Sequence, residues 1–192
     1  NHGWTGYHEA MLGVITPHRD IWGAPNYGFA PFGKPYRKGW PGFSYRPQEM
    51  IYPLKGDPDG DGDDDIVQIT PHGDAWVCLR SETDYSEFAV ERWGWLGFRY
   101  QESETEYGYY PLCADVNGNG LDDLIQVTKH GDAWVALSAG QRFRQPSRWG
   151  WLGFSYLRGN ETQPGSIPLA GDVNGNGRAD LILVTWHGDA WV

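Results

Sequence analysis

Residues 56–70 read GDPDGDGDDDIVQIT, and the stretch returns as ADVNGNGLDDLIQVT at 114–128 and GDVNGNGRADLILVT at 171–185. Asp57 to Asp115 is 58 residues, and Asp115 to Asp172 is 57. Each copy runs on into HGDAWV, at 72–77, 130–135 and 187–192. A fixed period of this size is the mark of a repeat architecture. The apolar ends of the copies, IVQIT, LIQVT and LILVT, are short and β-branched, which suits strands. AWVCL and AWVAL follow across a His-Gly-Asp turn that reads as a hairpin connection. Val67 and Ile69 fall on one strand face and Ile66 on the other, so both faces are apolar. A sheet buried on both faces has to be stacked between others. The expectation is an all-β chain of four-stranded blades, a β-propeller or a propeller-like repeat array.

Working outward, GWLGF occurs at 94–98 and 150–154, with GWPGF at 39–43 and GWTGY at 3–7. ITPHRDIW at 15–22 matches ITPHGDAW at 69–76 except at two positions. The chain therefore divides into a degenerate unit without an acidic loop at 1–38, and units with one loop each at 39–93, 94–149 and 150–192. The last of these reads as incomplete at its C-terminal side. Residues 23–47, rich in Gly, Pro and aromatics, read as an irregular connection.

The composition agrees. The 192 residues include 27 Gly, 13 Pro, 11 Trp and 11 Tyr, a mix that favours short strands and tight turns over long helices. No apolar run approaches the roughly 20 residues of a membrane-spanning helix. The net charge is −10, but its placement matters more. Segments 57–65, 115–123 and 172–180 hold six, three and two acids, or 11 of the 25. The other 14 nearly balance the 15 Lys and Arg, and no basic groove for nucleic acid emerges. Cys78 and Cys113 allow one disulfide or two free thiols, and no cysteine metal cluster.

The acidic loops carry the clearest chemistry. Counted from the first Asp, positions 1, 3, 5 and 9 are Asp57, Asp59, Asp61 and Asp65 in the first loop. They are Asp115, Asn117, Asn119 and Asp123 in the second, and Asp172, Asn174, Asn176 and Asp180 in the third. Gly stands at positions 4 and 6 throughout. Calcium takes six to eight hard oxygen ligands. Alternate side chains of a curled loop converge on one point, and the position-7 carbonyl of Asp63, Leu121 or Arg178 adds an oxygen. Glycine lets the backbone turn through positive φ. Acidic hairpin turns are the rival reading, but three copies with oxygen donors at four fixed positions favour calcium. An EF-hand is excluded, because position 12 is Gln68, Gln126 or Leu183 and the flanks are strands. The first loop, with four carboxylates, is expected to bind most tightly and to be the most strained when empty. Dissociation constants of about 10⁻⁴–10⁻³ M fit extracellular modules of this kind.

These loop-plus-strand units resemble FG-GAP/VCBS repeats, the family of integrin α-subunit propellers and of propeller lectins. The resemblance covers about residues 39–192. It implies calcium held between two strands of each blade by positions 1, 3, 5 and 9 and the position-7 carbonyl, hence three Ca²⁺ sites. The family's closed propellers usually carry more blades than the units legible here. A longer protein, an unusual closure or completion by neighbouring chains all remain open.

The tryptophans form two series. Trp22, Trp76, Trp134 and Trp191 recur at one strand position and are read as packing between blades. Trp4, Trp40, Trp95 and Trp151 sit among glycines, with Trp93 and Trp149 beside two of them. Trp95 and Trp151 are the candidates for glycan contact. His18, His72, His130 and His187 precede the hairpin turn, too far apart to form one site, and read as strand-end residues. Asn160-Glu161-Thr162 is a glycosylation sequon, with Asn160 as the acceptor. No GxSxG, HExxH or phosphate-binding glycine loop is present, so an enzyme is not expected.

The function expected is a secreted or cell-surface, calcium-stabilised binding module with a glycan or an extracellular protein as partner. One alternative is a structural or adhesive protein assembling head to tail into a filament. Another is the non-catalytic region of a larger secreted enzyme.

Overall fold

The computed structural model describes residues 11–15, 21–25, 36–39, 53–70, 72–80, 88–97, 110–128, 130–153 and 166–192. All the regular structure among them is strand, in four antiparallel sheets that follow one another along the chain. The first sheet pairs β1 (Met11–Ile15), β2 (Ile21–Pro25) and β3 (Tyr36–Gly39). The second runs β4 (Pro53–Gly56), β5 (Asp65–Ile69), β6 (Asp74–Arg80) and β7 (Phe88–Trp95). The third runs β8 (Tyr110–Ala114), β9 (Asp123–Val127), β10 (Asp132–Ala136) and β11 (Ser147–Trp151). The fourth holds β12 (Ile167–Gly171), β13 (Asp180–Val184) and β14 (Ala190–Trp191). Each sheet is a simple meander, as short hairpin links require. The sheets do not close on themselves, and no helix among the described residues is long and apolar enough to cross a membrane.

The strand ahead of each acidic loop is a recurring element that the sequence reading passed over. PLKG, YPLCA and IPLAG form β4, β8 and β12. All three lie at a sheet edge, where a proline costs no ladder hydrogen bond. They also lie against one another, β4 beside β8 and β8 beside β12, so the acidic loops that follow them are brought together.

The hairpins after the loops repeat closely. Thr70 N–H donates to the Asp74 carbonyl at 2.9 Å, and Gly73 N–H to the Thr70 carbonyl at 2.9 Å. Thr128–Asp132 and Thr185–Asp189 do the same. Gly73, Gly131 and Gly188 hold φ of 85°, 83° and 88°, the left-handed position of a three-residue hairpin loop.

Two apolar clusters hold successive sheets together. Val67, Ile69 and Val77 of the second sheet pack with Leu124 and Ala136 of the third. Ile125, Val127 and Val135, from the opposite face of the third sheet, pack with Leu181 and Ala170 of the fourth. Alternation along β9 thus sends Leu124 one way and Ile125 and Val127 the other, as expected for a sheet buried on both faces.

A β-bulge explains the paired tryptophans. The β6–β7 register shifts between Ala75 and Trp76, so that Gly94 opposes Ala75, Arg92 opposes Trp76, and Trp93 is the extra residue. Trp93 turns inward, is 2% exposed, and meets Phe143, in the connection between β10 and β11, with ring centroids 5.4 Å apart. The same shift occurs between Ala133 and Trp134. This corrects, for Trp76 and Trp134, the reading of the first tryptophan series as the packing between blades. Trp134 is exposed and Trp76 is half-buried, while the bulged Trp93 fills the gap; the side chain of Trp22 lies outside the described residues. The sheets are also phased against the sequence units. Strand β7 runs through Trp95 and β11 through Trp151, so the Gly-Trp pair that opens each sequence unit completes the preceding sheet.

Candidate functional site

The three acidic loops follow β4, β8 and β12 and share one internal design. The position-1 carboxylate turns back under its own loop. Asp57 accepts the N–H of Gly60 at 2.8 Å and of Gly62 at 2.9 Å. Asp115 accepts Gly118 and Gly120, both at 2.7 Å, and Asp172 accepts Gly175 and Gly177, both at 2.8 Å. Those six glycines have φ between 76° and 90°. Position 5 in turn accepts the N–H of position 7: Asp61 from Asp63 at 2.8 Å, Asn119 from Leu121 at 3.0 Å and Asn176 from Arg178 at 2.8 Å. In each loop these backbone donors fix the oxygen-bearing side chains at positions 1 and 5.

The loops differ at position 3. In the second loop the Asn117 amide donates to Asp123 Oδ2 at 2.9 Å. In the third, Asn174 donates to Asp180 at 2.9 and 3.1 Å. The side chain at position 3 thus satisfies the carboxylate at position 9. Asp59 has no N–H to offer Asp65. Carboxylate oxygens of Asp57, Asp59 and Asp61 instead converge within 4.8 Å of one another. Burial raises the Asp59 carboxyl above its ordinary value, and the charges of Asp61 and Asp57 add to the rise. Asp172, in contrast, is held below its ordinary value by the backbone N–H of Gly177 and its neighbours. Asp123 is fully buried, and burial pushes it up to about 6.

This donor set fits a hard divalent cation. Every side chain at positions 1, 3, 5 and 9 offers oxygen, and three carboxylates crowd together in the first loop. Asp57, Asp59, Asp61 and Asp65, with Asp63, are the residues that would hold it there. Asp115, Asn117, Asn119 and Asp123, with Leu121, form the second set. Asp172, Asn174, Asn176 and Asp180, with Arg178, form the third. A calcium ion held there would supply charge neutralisation and cross-linking, which is structural chemistry.

Successive loops also touch. The Asp57 carbonyl accepts the N–H of Asp122 at 2.8 Å, and the Asp115 carbonyl accepts that of Ala179 at 2.7 Å. Asp122 Oδ2 returns the bond by accepting Asp57 N–H at 2.9 Å. Ser138 donates its hydroxyl to the Pro58 carbonyl at 2.6 Å and its N–H to Asp123 Oδ1 at 2.8 Å. Neither Asp122 nor Ser138 had been singled out from the sequence. An acid at position 8, shared by Asp64 and Asp122, was the available signal.

The aromatic candidates lie elsewhere. Trp95 is 53% exposed and Trp151 is 65% exposed. Each is pinned by its indole N–H, Trp95 to the His72 carbonyl at 2.7 Å and Trp151 to the His130 carbonyl at 2.8 Å. An ion pair on the same hairpin neighbours each: Arg92 Nε to Asp74 at 2.7 Å, and Arg148 Nε to Asp132 at 2.7 Å. The repeated histidines contribute backbone carbonyls here, which fits their reading as strand-end residues. Asn160, Trp4, Trp40 and His18 lie outside the described residues. Cys78 and Cys113 are free thiols, and burial pushes Cys78 up to about 12.

Stacked three- and four-stranded meanders, three of them with an acidic loop after the edge strand, define a propeller-like β-repeat protein. Residues 115–183, which span the second and third loops, match the FG-GAP-like repeat family. No curated protein sequence matches the chain. Among solved structures, a lectin of Agrocybe aegerita described for specific recognition of non-reducing terminal N-acetylglucosamine is similar at a TM-score of 0.56 and 20% identity. The match covers 92% of this chain and 47% of the lectin chain. The Tc holotoxin pore of Photorhabdus luminescens is similar at a TM-score of 0.57 and 21% identity, over 94% of this chain and 8% of the toxin chain. The chain therefore spans about half of one neighbour and a small part of the other. At these identities the likeness shows the fold.

Proposed function

We propose that the chain is an extracellular binding module, stabilised by calcium at three loops, that recognises glycans through exposed tryptophans. The observation that carries the reading is the pair Trp95 and Trp151. Each presents an exposed indole that a hydrogen bond has already fixed. An aromatic face held rigid before binding loses little freedom when a sugar ring stacks on it. The adjacent Arg–Asp pairs offer donors and acceptors for hydroxyl groups. The fold shared with an N-acetylglucosamine-recognising lectin supports this ligand class by analogy. Modest calcium affinity suits calcium-rich surroundings, which supports a secreted or cell-surface location. Binding in place of catalysis is the role these loops fit. The test is a glycan array with calcium, followed by Trp95→Ala and Trp151→Ala. Retention of every glycan signal in both variants overturns the reading.

A further inference from the structure

The contacts between loops are unequal, and the inequality has a functional consequence. Two loops joined only by packing would take up cations independently. The first and second loops are joined by more than that. Asp57, the first ligand position of its loop, exchanges two backbone-anchored bonds with Asp122, which lies between Leu121 and Asp123 of the second loop. Ser138 bridges the same pair a second time, from the Pro58 carbonyl to the Asp123 carboxylate. Gly60 completes the contact, since a Cβ there would come within 2.5 Å of Leu121 Cδ2. Between the second and third loops the close glycine contact is kept, at Gly118 against Arg178, but the carboxylate at position 8 is not. Ala179 stands where Asp122 does, and the Ala179 N–H still reaches the Asp115 carbonyl at 2.7 Å. Alanine has no carboxylate to accept a bond from Asp115.

We propose that Asp122 and Ser138 are positioning residues that make calcium uptake at the first and second loops positively cooperative, with the third loop filling independently. The inference rests on the calcium reading above. Ordering of Asp57 by a cation fixes its N–H and carbonyl. Those groups hold Asp122, and so place the flanking Leu121 carbonyl and Asp123 carboxylate for the second cation. The Asp122 carboxylate also stands between the two loops, where its negative charge attracts both ions. Coupling of this kind between sites is a difference in affinity of typically fivefold or more.

The test is a calcium titration of the full chain followed by the amide resonances of Gly60 and Gly62, Gly118 and Gly120, and Gly175 and Gly177, which report the loops separately. Blocking the first loop with Asp59→Ala and Asp61→Ala, which removes the side-chain oxygens at positions 3 and 5, is expected to weaken calcium at the second loop about fivefold or more and to leave the third unchanged. With Asp122→Ala already present, the same block is expected to leave the second loop unaffected. Asp122→Asn keeps an acceptor for the Asp57 N–H, and coupling is expected to survive while affinity at both loops falls. If blocking the first loop leaves the second loop's affinity unchanged in the native background, the proposal is overturned. If calcium shifts none of these resonances, the calcium reading falls with it.

Discussion

The Asn117 amide donates to the Asp123 carboxylate at 2.9 Å, closing the second loop across its own centre. The third loop closes in the same way through Asn174 and Asp180. Aspartate at the corresponding position of the first loop cannot do so, and Asp57, Asp59 and Asp61 face one another instead. Two loops therefore carry an amide donor at position 3, and the first carries a third carboxylate in its place. A cation has to displace the amide donor in the former and only relieves repulsion in the latter.

Asp59→Asn is accordingly expected to change sign with conditions. In EDTA it removes a charge that Asp57 and Asp61 repel, so stability rises by about 1 kcal/mol. In saturating calcium it removes a carboxylate ligand. A tenfold loss of affinity would lower stability by about 1.4 kcal/mol. Urea denaturation of both proteins under both conditions measures this. A shift of the same sign in EDTA and in calcium would refute it.

The second loop is expected to lose calcium on mild acidification. Burial raises Asp123 to about 6, above its ordinary value, so the ion-free fold keeps a proton there at pH values where the unfolded chain has lost it. That proton contributes stability below the ordinary carboxylate value, and the contribution is lost as pH rises through about 6. Calcium requires the ionised form. Apparent affinity at the second loop should fall by about tenfold per unit below pH 6. The third loop, whose Asp172 is held below its ordinary value, should hold its affinity further into acid. Calcium isotherms at pH 7 and pH 5, resolved by loop, would decide the matter.

The two RWGW segments give a matched comparison. Trp93 is buried against Phe143 and Trp149 is 49% exposed, although each is the bulged residue of an identical tetrapeptide. Trp93→Ala is expected to cost about 3–5 kcal/mol, the range for a large aromatic removed from a core. Trp149→Ala is expected to cost about 1 kcal/mol or less, since most of its area already faces solvent. Guanidinium denaturation followed by circular dichroism avoids relying on tryptophan fluorescence. Equal costs would mean that the packing of Trp93 against the next sheet contributes little.

Much of this was legible in the chain because a repeat makes each local signal appear several times. The period placed the loops, the β-branched runs placed β5, β9 and β13, and the apolar character of both strand faces required stacking. What escaped reading depended on register. Trp76 and Trp93 are both tryptophans on neighbouring strands, and only the bulge between Ala75 and Trp76 decides which one turns inward. No composition rule reports a one-residue slip. Asp122 escaped for a related reason: its partner Asp57 lies 65 residues away, and what joins them is the stacking of β4 on β8. The edge strands themselves were hidden by their prolines, which argue against a strand unless its edge position is known.

Glycine at position 4 separates backbone strain from contact between loops. Gly60 and Gly175 have φ of 77° and 76°, so alanine meets the same left-handed penalty at both, about 1–2 kcal/mol. Beyond that the sites differ. A Cβ at Gly175 meets nothing within 4 Å, whereas at Gly60 it meets Leu121 Cδ2 at 2.5 Å and the Gly120 carbonyl oxygen at 3.2 Å. The leucine methyl can move and the backbone oxygen cannot, so the second loop has to back away from the first. Gly60→Ala is expected to cost about 1–3 kcal/mol more than Gly175→Ala, the range for overpacking. It should also weaken calcium at the second loop, which Gly175→Ala should not. Leu121→Ala clears the nearest obstruction. In that background the excess cost of Gly60→Ala should shrink, and an excess that stays unchanged would show that the strain lies within the first loop.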